Sequence, residues 1–182
     1  MTARENPDHL PGDLMMWVLI ISELLVFGAG LTAFLGVRIS DPAGFAEGRH
    51  ALHGFAAGIN TMLLVTSGWM AALSVRAQEE DAPRTCRMRL GVAATLGAGF
   101  LAVKGWEYAS LSALGHGLDD TAFFTFYFLL TGFHAAHVAA GIVILGLVGW
   151  KLSLRNAETG VAFWHMVDLV WVLLFPVIYL LP

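Results

Sequence analysis

The chain has 182 residues, 57% of them hydrophobic and only 13% charged, with a formal net charge of −4. Soluble domains carry about 25% charged residues, so this composition excludes an ordinary soluble fold, and the acidic balance carries no nucleic-acid signal. The single cysteine, Cys86, excludes an internal disulfide and any cysteine metal cluster.

The apolar residues come in long blocks. Five spans are read from them, at 14–37, 52–75, 90–113, 122–150 and 161–181, each with at least the ~20 residues that cross the hydrocarbon of a bilayer. The expectation is an all-α, polytopic membrane protein, with residues 1–182 forming one five-helix membrane domain. The first span is too long for the h-region of a signal peptide, and no small-residue cleavage site follows it. Basic residues set the orientation. With the N-terminus inside, the inner segments carry Arg4, Arg76, Arg84, Arg87, Arg89, Lys151 and Arg155, against Arg38 and Arg49 outside. Seven against two predicts N-terminus in and C-terminus out. The longest polar segment, around Arg76–Arg89, is read as a loop dividing the helices into a pair and a triplet.

In the first span Glu23 lies nine residues in, roughly 13 Å deep. A central carboxylate costs ~3 kcal/mol, which the thirteen Leu, Ile, Val and Phe residues of the span outweigh at roughly 0.3–0.6 kcal/mol each. Met16, Phe27 and Gly30 share the face of Glu23. The carboxyl either hydrogen-bonds between helices or handles protons. In the second span N-T-M-L-L-V-T-S-G, from Asn60 to Gly68, spreads small polar groups that suit interhelical hydrogen bonds. Gly28, Gly97, Gly105 and Gly141 suit close helix packing.

The third span carries K-G-W-E-Y. Lys104 and Glu107 stand three residues apart on one face and can pair, the lysine snorkelling toward the outer surface. The fourth span holds His134 and His137, again one turn apart. Two imidazoles on one helix face raise a metal site, to which Glu23, His165 and Asp168 would have to contribute. Depth counting puts Glu23 near mid-membrane and His165 with Asp168 close to the inner surface, so no metal, haem or flavin is expected in this chain. In the fifth span Trp164, His165, Asp168, Trp171 and Phe175 fall within about 120° of one another on a helix. Pro176 is expected to kink the outer end.

Ordered blocks along nearly the whole chain carry a resemblance. They are L-P-G-D-L-M-M-W-V-L-I-I-S-E, N-T-x-L-L-x-x-S-G, K-x-x-E-Y, F-F-x-F-Y-F-x-L-T-G-F-H-x-x-H-V-x-x-G and F-W-H-M-V-D-L-V-W-V-L-L-F-P. The sequence resembles subunit III of the haem–copper oxidase superfamily, and within it the NorE branch associated with nitric oxide reductase. Met166, where the oxidase pattern has Phe, and the L-F-P ending look like that branch. The resemblance implies a five-helix, non-catalytic subunit in a bacterial cytoplasmic membrane. Haem and copper or iron would be held only by the partner, a catalytic haem-bearing subunit. It further implies structural phospholipid in a cleft and support of proton uptake. Glu23 matches the family's carbodiimide-reactive membrane carboxylate. Glu107, His134, His137, Glu158, His165 and Asp168 fall on its recurring polar positions, with Asn60 and Lys104 in the matching blocks. Two other classes use the same residues: a stand-alone metalloenzyme built on His134, His137, His165, Asp168 and Glu23, and a small proton or solute carrier.

Overall fold

A computed structural model describes residues 14–181; Arg4 and the L-P-G-D residues 10–13 of the sequence reading lie outside them. Six α-helices follow in chain order: α1 (Leu14–Ser40), α2 (Pro42–His50), α3 (Gly54–Glu79), α4 (Pro83–Ala113), α5 (Ala122–Trp150) and α6 (Leu154–Phe175). A π-helical turn, Pro176–Leu180, continues α6. Five helices are long and apolar enough to cross a membrane: α1, α3, α4, α5, and α6 together with its π turn. The all-α, five-span architecture is therefore as expected.

α3, α4, α5 and α6 close a ring in which each packs on the next, and α3 with α4 forms the most extensive interface. α1 lies outside that ring, across α5 and α6, and buries only Phe27 and Phe34. Exposed apolar side chains such as Leu25, Trp69 and Val143 cover the outside, the distribution a protein solvated by acyl chains requires.

Three details differ from the sequence reading. The Arg76–Arg89 segment is not a loop: only residues 80–82 separate α3 from α4. Asp81 takes a left-handed conformation with φ 52°, and Pro83 opens α4 where a missing N–H costs nothing. The helices on either side of that turn pack together along their length, so they are not divided into a pair and a triplet there. Two of the segment's arginines instead bond carbonyls of neighbouring helices. Arg89 Nη1 donates to Leu73 O at 2.6 Å, and Arg87 Nε donates to Gly149 O at 3.0 Å, which places a cation on the last turn of α5.

Secondly, α2 is an unforeseen short helix. The Asp41 side chain accepts from Gly44 N at 3.0 Å and Pro42 follows at the first helical position, the N-terminal signature of a helix. Phe45 packs on Phe34 and Phe123, and Arg49 Nη1 donates to Leu181 O at 3.1 Å. Thirdly, Pro176 produces a widened π turn rather than a bare kink. Its ring and missing N–H release the preceding helical register, and Tyr179 within the turn is buried.

The core is keyed by Trp164, which is fully buried. A Cβ on Gly97 would lie 2.6 Å from its Cη2, and one on Gly141 2.5 Å from its Cε3. The indole thus fills a slot between α4 and α5 that only glycine leaves open. Gly28 and Gly105 have open space where a Cβ would stand, so these two glycines are not packing residues within the chain.

Candidate functional site

The small polar ladder of α3 is used to join helices. Asn60 Nδ2 donates to Phe100 O at 3.3 Å and Ser67 Oγ to Ala93 O at 2.7 Å, both across to α4. From α6, Trp164 Nε1 donates to Ser67 Oγ and Trp171 Nε1 to Thr61 Oγ1, each at 3.0 Å. Buried indoles need a partner for their N–H, and the hydroxyls of α3 supply it.

Above this ladder lies a polar cluster around Lys104, which is 1% exposed, as is Glu107. Its Nζ donates to Glu107 Oε2 at 2.8 Å, to Tyr127 OH at 3.1 Å and to Tyr179 OH at 2.6 Å. An ammonium has three donors, and all three are used. Tyr179 OH donates to Glu107 at 3.1 Å, and the rings of Tyr108, Tyr127, Trp171 and Tyr179 stand 4.9–5.4 Å from Nζ. Beside the cluster, Tyr108 OH and Thr131 Oγ1 are 2.7 Å apart. The lysine is paired with Glu107 as the spacing predicted, but it is enclosed rather than snorkelling. Tyr127 and Tyr179 were not singled out from sequence. At 100° per residue Tyr179 falls on the same α6 stripe as Trp164, Asp168, Trp171 and Phe175, so that periodicity was the signal that could have found it.

Glu23 meets one of the two α5 histidines. Its Oε2 lies 3.2 Å from His137 Nε2, with the side chains 24% and 15% exposed respectively. The oxygen sits off the hydrogen-bonding axis of the ring, so the contact is close but not linear. His137 Nδ1 lies 2.8 Å from Phe133 O, and a carbonyl can only accept, so Nδ1 carries a hydrogen. In a neutral imidazole Nε2 is then the acceptor, and a contact with Glu23 needs one proton between them, on the carboxyl or on the ring. Phe27 and Phe133 pack edge-on against His137 at 5.6 and 4.5 Å.

His134 does not share this contact. It is fully buried, stacked at 5.3 Å on Trp171 and edge-on to Phe100 at 5.5 Å. Neither of its ring nitrogens has a hydrogen-bond partner among the described residues. The H-x-x-H spacing therefore serves two environments, a polar groove and an aromatic core.

On α6, His165 Nδ1 is 3.8 Å from Asp168 Oδ2, and Asp168 Oδ1 is buried without a partner. A Cβ on Gly68 would collide with the Asp168 carboxylate, so the missing side chain of Gly68 makes room for it. Glu158 is exposed near the start of α6. Among the described residues, no three His, Cys, Asp or Glu side chains converge. The five residues of the metalloenzyme reading are split between the α1–α5 groove, the aromatic core and the α3–α6 surface.

A cleft of about 530 Å³ opens between α1, α5 and α6 near the end that carries the α5–α6 connection. Met15, Met16, Leu19, Leu147 and Phe163 give it apolar walls, and Lys151 and Arg155 line it with two basic groups.

A family model for cytochrome c oxidase subunit III matches residues 12–181. Cytochrome c oxidase subunit 3 of Thermostichus vulcanus is 35% identical, over 98% of this chain and 90% of the relative. The subunit of the same name from Bacillus subtilis is 28% identical over 92% and 85%. Cytochrome bo(3) ubiquinol oxidase subunit 3 of Pseudomonas putida is 27% identical over 92% and 84%. This chain belongs to the cytochrome c oxidase subunit III family.

Proposed function

We propose that this chain is the non-catalytic accessory subunit of a bacterial respiratory haem–copper oxidase, or of the related nitric oxide reductase, in the cytoplasmic membrane. The observation that carries this reading is the family match over residues 12–181. The internal bonding of Lys104 and Glu107 supports it, because these buried charges serve to hold helices together. Met166 and the Leu174–Phe175–Pro176 ending favour the NorE branch and a partner that reduces nitric oxide. Purification of the tagged chain from native membranes tests the reading: a haem-bearing chain accompanies it, and the complex reduces oxygen or nitric oxide. A tagged chain that carries no haem protein, or that transports protons alone in liposomes, overturns it.

Two supporting roles follow. The cleft between α1, α5 and α6, apolar along its walls and basic at Lys151 and Arg155, suits the acyl chains and phosphate of an anionic phospholipid. The Glu23–His137 contact, which needs one proton between its two atoms, suits a group that holds a proton beside the partner's uptake path. Loss of either leaves the catalytic metals in place, because they belong to the partner.

A further inference from the structure

His165 faces outward at a depth where an imidazole is costly. Its side chain is 47% exposed, against 12% for Asp168 behind it. The contact with Gly68 fixes the depth. Gly68 stands eight residues from Arg76 along α3, and His165 ten residues from Arg155 along α6, which is about 12 and 15 Å of helix rise. His165 therefore lies well within a hydrocarbon core ~30 Å thick, deeper than the sequence count placed it because α6 begins at Leu154 rather than 161. There ionisable groups are buried against protein or water rather than acyl chains. Asp168 Oδ1 adds a buried acceptor without a partner. Around the pair the surface is apolar, with Met62, Val65 and Trp69 of α3 and Leu169 of α6 between 46% and 69% exposed.

The outer faces of α1 and α4 differ. Their exposed hydroxyls, on Ser22, Thr32 and Thr95, each donate to a carbonyl of their own helix at 2.8 Å. Those faces present satisfied polar groups and suit lipid. The α3–α6 face presents the half-exposed imidazole of His165, with the Asp168 carboxyl largely covered behind it.

We propose that the α3–α6 face centred on His165 is the surface on which a membrane-spanning helix of the haem-bearing subunit docks, offering a hydrogen-bond donor or a basic side chain to the His165–Asp168 pair. This rests on the accessory-subunit reading above. A carboxylate on the partner helix is disfavoured by Asp168, and a wholly apolar helix leaves the exposed imidazole of His165 bare.

The test uses the whole complex, purified through a tag on this chain. A photo-crosslinking residue is placed singly at Trp69 and at Leu169, with Leu25 and Val143 as exposed controls elsewhere. The expected adducts join positions 69 and 169 to the haem-bearing subunit and leave 25 and 143 attached to lipid. In parallel, His165→Ala lowers the haem recovered per tagged chain about three- to twentyfold, the range for an interhelical hydrogen bond in a membrane, and His165→Gln restores most of it. Lipid adducts alone at 69 and 169 overturn the proposal, as does unchanged recovery with His165→Ala. Both outcomes leave the accessory-subunit reading intact, whereas a wild-type chain that brings down no haem protein removes that reading itself.

Discussion

Tyr179 and Lys104, 75 residues apart in sequence, are joined by a 2.6 Å hydrogen bond from ammonium to phenol. That bond fixes the π-helical turn at the end of α6 against the middle of the ring of helices. The lysine's remaining donors hold Glu107 of its own helix and Tyr127 of α5, so one side chain ties α4, α5 and the chain's last turn.

Lys104→Met removes the cation and leaves Glu107 buried without its charge partner. Breaking a buried ion pair this way costs about 3–5 kcal/mol, enough to lower the unfolding midpoint of the detergent-solubilised chain sharply. Lys104→Met with Glu107→Gln recovers a large part of that loss, because no net charge stays buried. Tyr179→Phe costs less, about 1–3 kcal/mol for the acceptor and donor it removes. Equal midpoints for Lys104→Met and the double variant refute the pairing argument.

Gly97→Ala and Gly141→Ala each drive a methyl group against the Trp164 ring, at 2.6 and 2.5 Å before relaxation. Overpacking of this kind costs about 1–3 kcal/mol. Gly105→Ala, with nothing within 4 Å, is neutral or gains up to about 1 kcal/mol of helix propensity. Thermal unfolding of the three variants in one detergent ranks them, and a Gly141→Ala protein as stable as Gly105→Ala contradicts the slot.

The five spans were legible because apolar blocks of about 20 residues leave few alternatives in a bilayer. Helix ends were less so. α4 begins at Pro83 rather than 90, since Arg84, Arg87 and Arg89 look like loop residues, yet all lie within α4 and two of them, Arg87 and Arg89, bond carbonyls of neighbouring helices. The paired polar groups Lys104–Glu107 and Glu23–His137 could be guessed from spacing and depth. Their surroundings could not, because Tyr127, Trp171 and Tyr179 are ordinary aromatic residues until α5 and the π turn bring them to Lys104. His134 and His137 looked like one unit at i,i+3, yet a rotation of about 60° between such positions puts one in the groove and the other in the core.

The basic residues at the α3–α4 turn and the α5–α6 connection lie at one end of the bundle, with the N-terminus of α1. A reporter fused after Arg84 is expected on the cytoplasmic side, and one fused after Gly117 on the outer side, by the positive-inside asymmetry. Alkaline phosphatase activity read from both fusions in whole cells checks this, and an active Arg84 fusion reverses the topology.

The contact between Glu23 and His137 separates two substitutions of similar size. Because Nδ1 of His137 is held at Phe133 O, the neutral ring presents Nε2 as an acceptor toward Glu23. Glu23→Gln supplies an amide N–H to that acceptor, so folding and complex assembly stay close to wild type. Glu23→Leu leaves Nε2 bare inside the α1–α5 groove, at about 1–3 kcal/mol for an unsatisfied buried polar group. Since α1 makes its main contacts with α5 and α6, the loss falls on the docking of that single helix. Protease accessibility of α1 and the yield of intact complex read it directly: Gln near wild type, Leu clearly lower. Equal yields for the two variants mean that the groove tolerates an unpaired imidazole and that Glu23 does not hold α1 in place. A Gln variant that assembles fully but slows proton uptake by the complex isolates the titratable proton of Glu23 as the feature that matters, since the amide can donate to Nε2 but cannot release a proton.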